Sequence, residues 1–258
     1  NQGATGDLVF NGVLSGGATS VTISRSAGGT GFYAFNGANT FSGNVTLGVG
    51  GAGGGSYIVN TLRNAGSAQS LGTGSFVQFG TTINNESAKV YYTGGQSSTD
   101  KSFKTGGDTA ATNVTGGVYA NGSGALTWSG TQTPAATTVA RTFTLGGFNT
   151  DANTWSSAFV NNTSGAISLT KAGRGTWVLS GANTFTGATT VNSGKLVLDY
   201  ATSATVLGGT NAVTFGVGAL EFKARSTGSS AQTLGAFSDN QNGLFTVRVD
   251  QNGGTGMA

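Results

Sequence analysis

The pentapeptide Gly-Ala-Asn-Thr-Phe occurs at 37–41 and again at 181–185, each time followed by a hydroxyl residue and a glycine, and each time between two short apolar stretches. The copies read GFYAFNGANTFSGNVTL (31–47) and GTWVLSGANTFTGATTV (175–191) and lie 144 residues apart. A match spanning strand, turn and strand is an internal repeat. Such a unit cannot bury its own inner face and must stack on the next one. A worn third copy, GALTWSGTQTPAATTV, lies at 124–139, with Pro134 where the others carry phenylalanine. Proline cannot donate to a strand ladder, so that position is expected at a turn or a sheet edge.

Around the second copy, Gly165 to Tyr200, apolar residues stand two apart: Ile167 and Leu169, Trp177 and Leu179, Leu196 and Leu198. This is the alternation of half-buried strands of about 4 to 6 residues. The breaks carry Gly, Asn, Thr and Ser, which favour tight turns. Glycine fills 47 of 258 positions, yet with one proline and no Gly-X-Y period a collagen is excluded. The 36% hydrophobic content is laid out in alternation, which argues against a disordered polar chain.

The fold expected is all-β: a parallel β-helix, or β-solenoid, right-handed, forming one continuous rod over 1–258 with repeat copies near 21–47, 124–139 and 165–198. At roughly 20 to 25 residues a coil the chain makes roughly 10 to 13 coils, stacking to about 50–60 Å. The expected core is Trp177, Leu179, Val191, Leu196, Leu198, Phe215, Leu220 and Phe222. In ALEFKAR (219–225), Leu220, Phe222 and Ala224 face in while Glu221, Lys223 and Arg225 face out. In LFTVRVD (244–250), Phe245, Val247 and Val249 face in. Asn39 and Asn183 occupy equivalent turns, either bonding buried backbone and neighbouring asparagines or standing exposed in left-handed geometry. Gly48 to Ser56, GVGGAGGGS, reads as a loop protruding from one coil.

The segment LTKAGRGTWVLSGANTFTGATTVNSGKLVL (169–198) resembles the autotransporter-associated β-strand repeat, or passenger-associated transport repeat, of bacterial secreted and surface proteins. Lys171, Gly173, Gly175, Gly181, Asn183, Thr184, Gly187, Thr189 and Gly194 stand where that motif keeps its lysine, glycines, asparagine and threonines. With Trp177 and Phe185, and with Gly37, Asn39, Phe41 and Gly43 of the first copy, they form the expected set of structural repeat residues. The resemblance implies a parallel β-helix exported beyond the outer membrane, one stretch of a longer chain, with no catalytic residues. A start at Asn1 without Met or a signal peptide is read the same way, as a processed product or a piece of something longer.

Other chemistry finds little support. There is no Cys and no His, so the commonest metal ligands and general base are absent. No run of 18 apolar residues spans a membrane as a helix. Net charge is +3 but the basic residues are scattered, which is no nucleic-acid footprint. Gly48 to Gly53 fits G-x-G-x-x-G, but no helix follows it. Ser168 and Lys171 have Ser-x-x-Lys spacing, but on a strand. The six Asn-x-Ser/Thr sites, at Asn44, Asn85, Asn113, Asn121, Asn161 and Asn162, are what so Asn- and Thr-rich a chain yields by chance. A glycan-cleaving β-helix needs paired carboxylates, for which the nearest candidates are Asp199 and Glu221, one coil apart and facing out.

The function expected is therefore a non-enzymatic extracellular structural or adhesive protein of a bacterial surface, a rigid stalk with no cofactor and no metal. Its partners would be copies of itself, end to end or side by side, or host and environmental glycans and surfaces. The alternatives are a fibre subunit built by end-to-end stacking and a polysaccharide-binding or polysaccharide-cleaving β-helix. Departures from the repeat, at Gly48 to Ser56 and in the polar run from Thr93 to Asn113, are where function would concentrate.

Overall fold

A computed structural model of the chain describes residues 6–17, 19–25, 31–49, 51, 53–208, 211–240 and 243–253. Among them are 21 strands and no helix. Every strand pair is parallel, and each joins one coil to the next. The strands form three sheets of ten, seven and four members that wrap one interior as the faces of a β-solenoid.

The ten-stranded face runs the whole length, from Leu8–Phe10 through Glu86–Tyr92, Arg141–Gly147 and Ile167–Lys171 to Phe237–Asp239. The other two faces share the remaining perimeter. The four-stranded face, Ser20–Arg25 to Ser102–Thr105, serves the first coils. The seven-stranded face, Ser97–Thr99 to Thr246–Asp250, serves the later ones. Among the described residues, only the coil through Glu86–Tyr92, Ser97–Thr99 and Ser102–Thr105 contributes a strand to all three. The polar run from Thr93 to Asn113 is thus where the cross-section changes, and it carries two of these strands, Ser97–Thr99 and Ser102–Thr105.

Ten strands on the continuous face give about 9 turns, fewer than the 10 to 13 expected. The coils are longer than anticipated. Gly53 pairs with Glu86, 33 residues on, and Ser87 with Thr115, 28 on, whereas Leu169 pairs with Thr189 after only 20. Nine steps of about 4.8 Å make a stack about 43 Å long.

Alternation decides what goes inside. In Ile167–Lys171 the odd positions are buried and the even ones half-buried. All eight expected core residues are buried, from Trp177 to Phe222. An aromatic column fills the middle coils: Trp155 stacks on Trp128 at 5.2 Å and on Phe159 at 5.1 Å, and meets Phe103 edge-on at 4.9 Å. Such pairs add about 0.5–1.5 kcal/mol beyond the area they bury.

Two local expectations are corrected. Gly48 to Ser56 is not a protruding loop: Gly48 lies in the strand Asn44–Val49, and Gly53 to Ser56 open the strand Gly53–Val59; Gly50 and Ala52 lie outside the described residues. The apolar pattern of Ser56 to Val59 propagates the sheet back through the glycines, which pair with Glu86, Ser87 and Ala88. Phe245, Val247 and Val249 are 42%, 44% and 53% exposed although Val247 and Val249 are in register with the buried Leu220 and Phe222. Their phase is the expected one, but they sit on the last described coil, with no coil packed beyond them.

Candidate functional site

The repeat residues meet at the corners of the coils. Asn183 is 3% exposed, and its side chain reaches three coils. Its Oδ1 accepts from the Phe159 N–H at 2.6 Å in the preceding coil, and its Nδ2 donates to Gly181 O at 2.9 Å in its own and to Val206 O at 2.6 Å in the next. Asn39 does the same work in the first copy: it accepts from Leu14 N at 2.8 Å and donates to Ser70 O at 2.8 Å, and it is fully buried. Both asparagines thus bond buried backbone and stand nowhere near solvent.

The third copy puts Gln132 at this position, accepting from Val160 N at 3.0 Å and donating to Val160 O at 2.9 Å. Its Pro134 lies outside any strand, between Leu126–Trp128 and Arg141–Gly147. Asn162 and Asn211 extend the pattern to other corners, bonding the backbone of Ala135 and of Phe185 and Gly187. Turn carbonyls and N–H groups that face the interior have no sheet partner, and amide side chains with both a donor and an acceptor complete them.

Phe41 and Phe185, two residues beyond the asparagines, are buried, while Thr184 is exposed. Trp177 is buried and donates its indole N–H to Gly146 O at 2.8 Å. The repeat glycines mark places where coils touch backbone to backbone. Gly194, at φ 67°, leaves room for nothing more: a Cβ there would stand 2.5 Å from Gly175 O and 2.7 Å from the Lys171 amine, and would also strike Gly173 O. Gly37, Gly173, Gly175, Gly181 and Gly187 likewise lie against a carbonyl of the coil before, and Gly43 offers its own carbonyl to Gly74 of the next.

Lys171 follows Ile167 and Leu169 into the interior. Its ammonium donates to Ala172 O at 3.0 Å, Gly173 O at 2.8 Å and Ser193 O at 3.0 Å. Three donors meet three corner carbonyls, and burial pushes its pKa down to about 8. Lys101, in the polar run, is a second case that the sequence did not reveal. It is fully buried, donates to Gly72 O at 3.1 Å and to Gly74 O, and is pushed down to about 8 by burial against the pull of Asp100.

These lysines set a pH dependence. The unfolded chain holds their protons up to about pH 10.4, the folded chain only to about 8, so stability rises with pH across that interval. Tyr92, Tyr119 and Tyr200 have the opposite sign, since burial raises their pKa values and their contribution is lost above about pH 10, where the unfolded chain ionises. Urea titrations are expected to show stability rising by on the order of 3 kcal/mol from pH 8 to a maximum near pH 10, then falling. A profile that declines steadily from pH 8 would contradict the buried lysines.

The carboxylates expected as a pair are separated by the register. Asp199 lies beside Lys223, not Glu221, because the coil step there is 24 residues and not 22. Asp199 bonds the Lys223 amine at 3.0 Å, and Glu221 lies 3.4 Å from both Lys195 and Arg248. Glu221 does face outward as expected, yet these neighbours leave it only 9% exposed. Each carboxylate is taken up by a cation, so the two do not face each other as a catalytic pair would. Glu221→Gln is expected to cost on the order of 1 kcal/mol, with only part of that loss removed at high salt, because Glu221 is mostly covered while Lys195 and Arg248 are exposed. Among the described residues, no three of His, Cys, Asp or Glu are grouped to hold a metal ion.

Residues 169–198, the segment whose asparagine, lysine and glycines have just been placed, match the passenger-associated-transport-repeat family. The chain carries a passenger-associated transport repeat. The chain is also similar to the adhesin BmaC autotransporter of Brucella suis biovar 1 (strain 1330), 38% identical over 140 residues. That stretch is 54% of this chain but 4% of the relative's length. No solved structure matches the chain. The matched segment therefore covers about one and a half coils, with two strands on each of two faces from Ile167–Lys171 to Lys195–Asp199; Asn183 joins it to the coils on either side, and Gly194 packs one of its turns on the other.

Proposed function

We propose that this chain is a segment of the passenger of an autotransporter-type adhesin, a β-solenoid displayed at or released from a bacterial surface that gives length and stiffness and carries the contact surface on its outer faces. Residues 1–258 would form one continuous solenoid within a longer passenger. The observation that carries the reading is the coil-to-coil bonding by Asn39 and Asn183: the asparagines that the repeat keeps are spent on joining rungs, which is the work of a scaffold. The name of the Brucella relative supports adhesion, and the ion-paired Asp199 and Glu221 give no support to hydrolysis.

End-to-end fibre growth gains no support either. The test is direct. Beads coated with the purified chain are expected to adhere to cultured animal cells and to matrix-coated plastic well above albumin-coated beads. Equal adhesion of the two would overturn the adhesive reading.

A further inference from the structure

The ten-stranded face presents its outward side chains in straight rows, because parallel strands in register place equivalent residues one above another. One row runs Thr144, Thr170, Thr190, Thr214 and Ser238, each paired with the next. Two residues back along the strands a second row runs Thr115, Thr142 and Ser168. Successive hydroxyls within a row are about 4.8 Å apart and the two rows about 6.6 Å apart. Among the described residues, the side chains of Thr142, Ser168, Thr170 and Thr190 make no hydrogen bond to protein, and these stretches carry no charge; beyond Thr144 the first row continues through Gly117 to a single cation, Lys89, two residues before Tyr91.

At one end of these rows stands an aromatic pair. Tyr91 and Tyr119 face outward on adjacent strands and stack at 4.8 Å with their planes 25° apart. Glycines make room for them. Gly146 pairs with Tyr119 on the next strand, and a Cβ there would collide with the ring at Cδ1 and Cε1. A Cβ on Gly117, two residues before Tyr119, would lie 3.2 Å from Cε2. Glycine inside a strand weakens it and often marks a close approach. Here two glycines let a tyrosine ring settle onto the sheet with its partner overlapping it.

We propose that this face binds an extended, uncharged polysaccharide, with Tyr91 and Tyr119 holding one sugar unit and the threonine rows bonding the hydroxyls of those that follow. The proposal rests on the adhesive reading and names the ligand class. Three observations select this partner. One cation, Lys89, beside rows otherwise without charge is too little to hold nucleic acid or an acidic glycan. Rows without large apolar anchors lack what a protein interface needs at its centre. A tyrosine pair offers flat apolar rings with polar edges, suited to the C–H face and hydroxyl rim of a sugar, and the repeat of the rows is comparable with the length of one unit of an extended chain.

The test is native electrophoresis of the whole chain through gels containing hydroxyethylcellulose, laminarin or galactomannan, with heparin as the charged control. At least one neutral polymer is expected to retard the chain equally at low and high salt. The double variant Y91A/Y119A and the double variant T170K/T190K are each expected to weaken retardation about tenfold or more. Thr154→Lys, on the seven-stranded face, is expected to change nothing. Melting curves confirm that each variant is folded, and T170K/T190K, which removes no packing, keeps the test open should Y91A/Y119A unfold. Retardation by none of the neutral polymers, by heparin alone, or equally in wild type and both double variants would overturn the proposal. So would inhibition of ice recrystallisation that T170K/T190K abolishes without any polysaccharide retention, which would assign the rows to ordered water. Adhesion by wild-type and Y91A/Y119A beads alike, with no retardation in gels, would sink this inference and leave the adhesive reading standing. Retardation without bead adhesion would do the reverse.

Discussion

Replacing Trp155 with alanine is expected to destabilise the chain by about 3–5 kcal/mol, the largest effect of any single truncation in the solenoid. Trp155 is fully buried at the centre of the aromatic column, between Trp128 and Phe159, with Phe103, Phe143 and Trp177 around it. Each of those rings is fixed by its own coil, so the walls have little freedom to collapse into the space, and a cavity remains. One feature makes the test more specific. The indole N–H of Trp155 is buried without a partner. Trp155→Phe keeps an aromatic ring and removes that unmet donor, so it is expected to cost less than about 1.5 kcal/mol. Urea denaturation of both variants checks the pair of values. Equal costs would mean that the column does not depend on ring packing.

Asn183→Ala is expected to cost about 2–4 kcal/mol. The substitution leaves the Phe159 N–H and the Val206 carbonyl buried without their partner, and each unmet group costs about 1–3 kcal/mol. Asn183→Asp separates geometry from donation. The carboxylate can still accept from Phe159 N, but it brings an oxygen up to the Val206 carbonyl in place of an N–H, so it is expected to be at least as damaging as alanine. In a solenoid each coil is supported by two neighbours, so the loss falls on the coils before and after Asn183 more than on distant ones.

What could be read from the sequence followed from local pattern. Alternation in Ile167–Lys171 and Ala219–Lys223 gave the inward face correctly, because the period of a strand is set by its own pleat. The repeat gave the solenoid, because two copies of one unit 144 residues apart have to stack. Register was a different matter. Counting along the sequence places Asp199 beside Glu221 on a step of 22 residues, and coil lengths of 19 to 33 vary too much for that kind of counting. The glycines before Ser56 read as a loop, since nothing local shows that a neighbouring strand will pair with them.

Buried polar groups were the least legible. Lys101 lies fully inside, and Arg141 is 2% exposed, its guanidinium bonded to Gly107 O at 3.2 Å and Thr109 O at 3.1 Å. Burial lowers the Arg141 pKa against the pull of Glu86 and Asp108. Residues of this kind normally mark a surface, and what holds them inside here is a set of corner carbonyls that only the stacked coils bring together. The outward rows of threonine were equally hidden. Each is an ordinary strand residue in the sequence and becomes a row only when the register is known.

Hydrogen exchange read by mass spectrometry, on the wild-type chain and on Asn183→Ala, tests the central claim that a scaffold of stacked coils is joined through its corner asparagines. In the wild type, the amides of Leu14 and Phe159, which donate to Asn39 and Asn183, are expected to be protected to the same degree as strand amides. In the variant, exchange is expected to quicken at Phe159 and through the neighbouring strands Asn153–Trp155 and Val213–Phe215, while Phe32–Phe35 and Gly53–Val59 stay as they were. Fast exchange at Leu14 and Phe159 in the wild type, or a variant that exchanges faster uniformly along the whole chain, would contradict it.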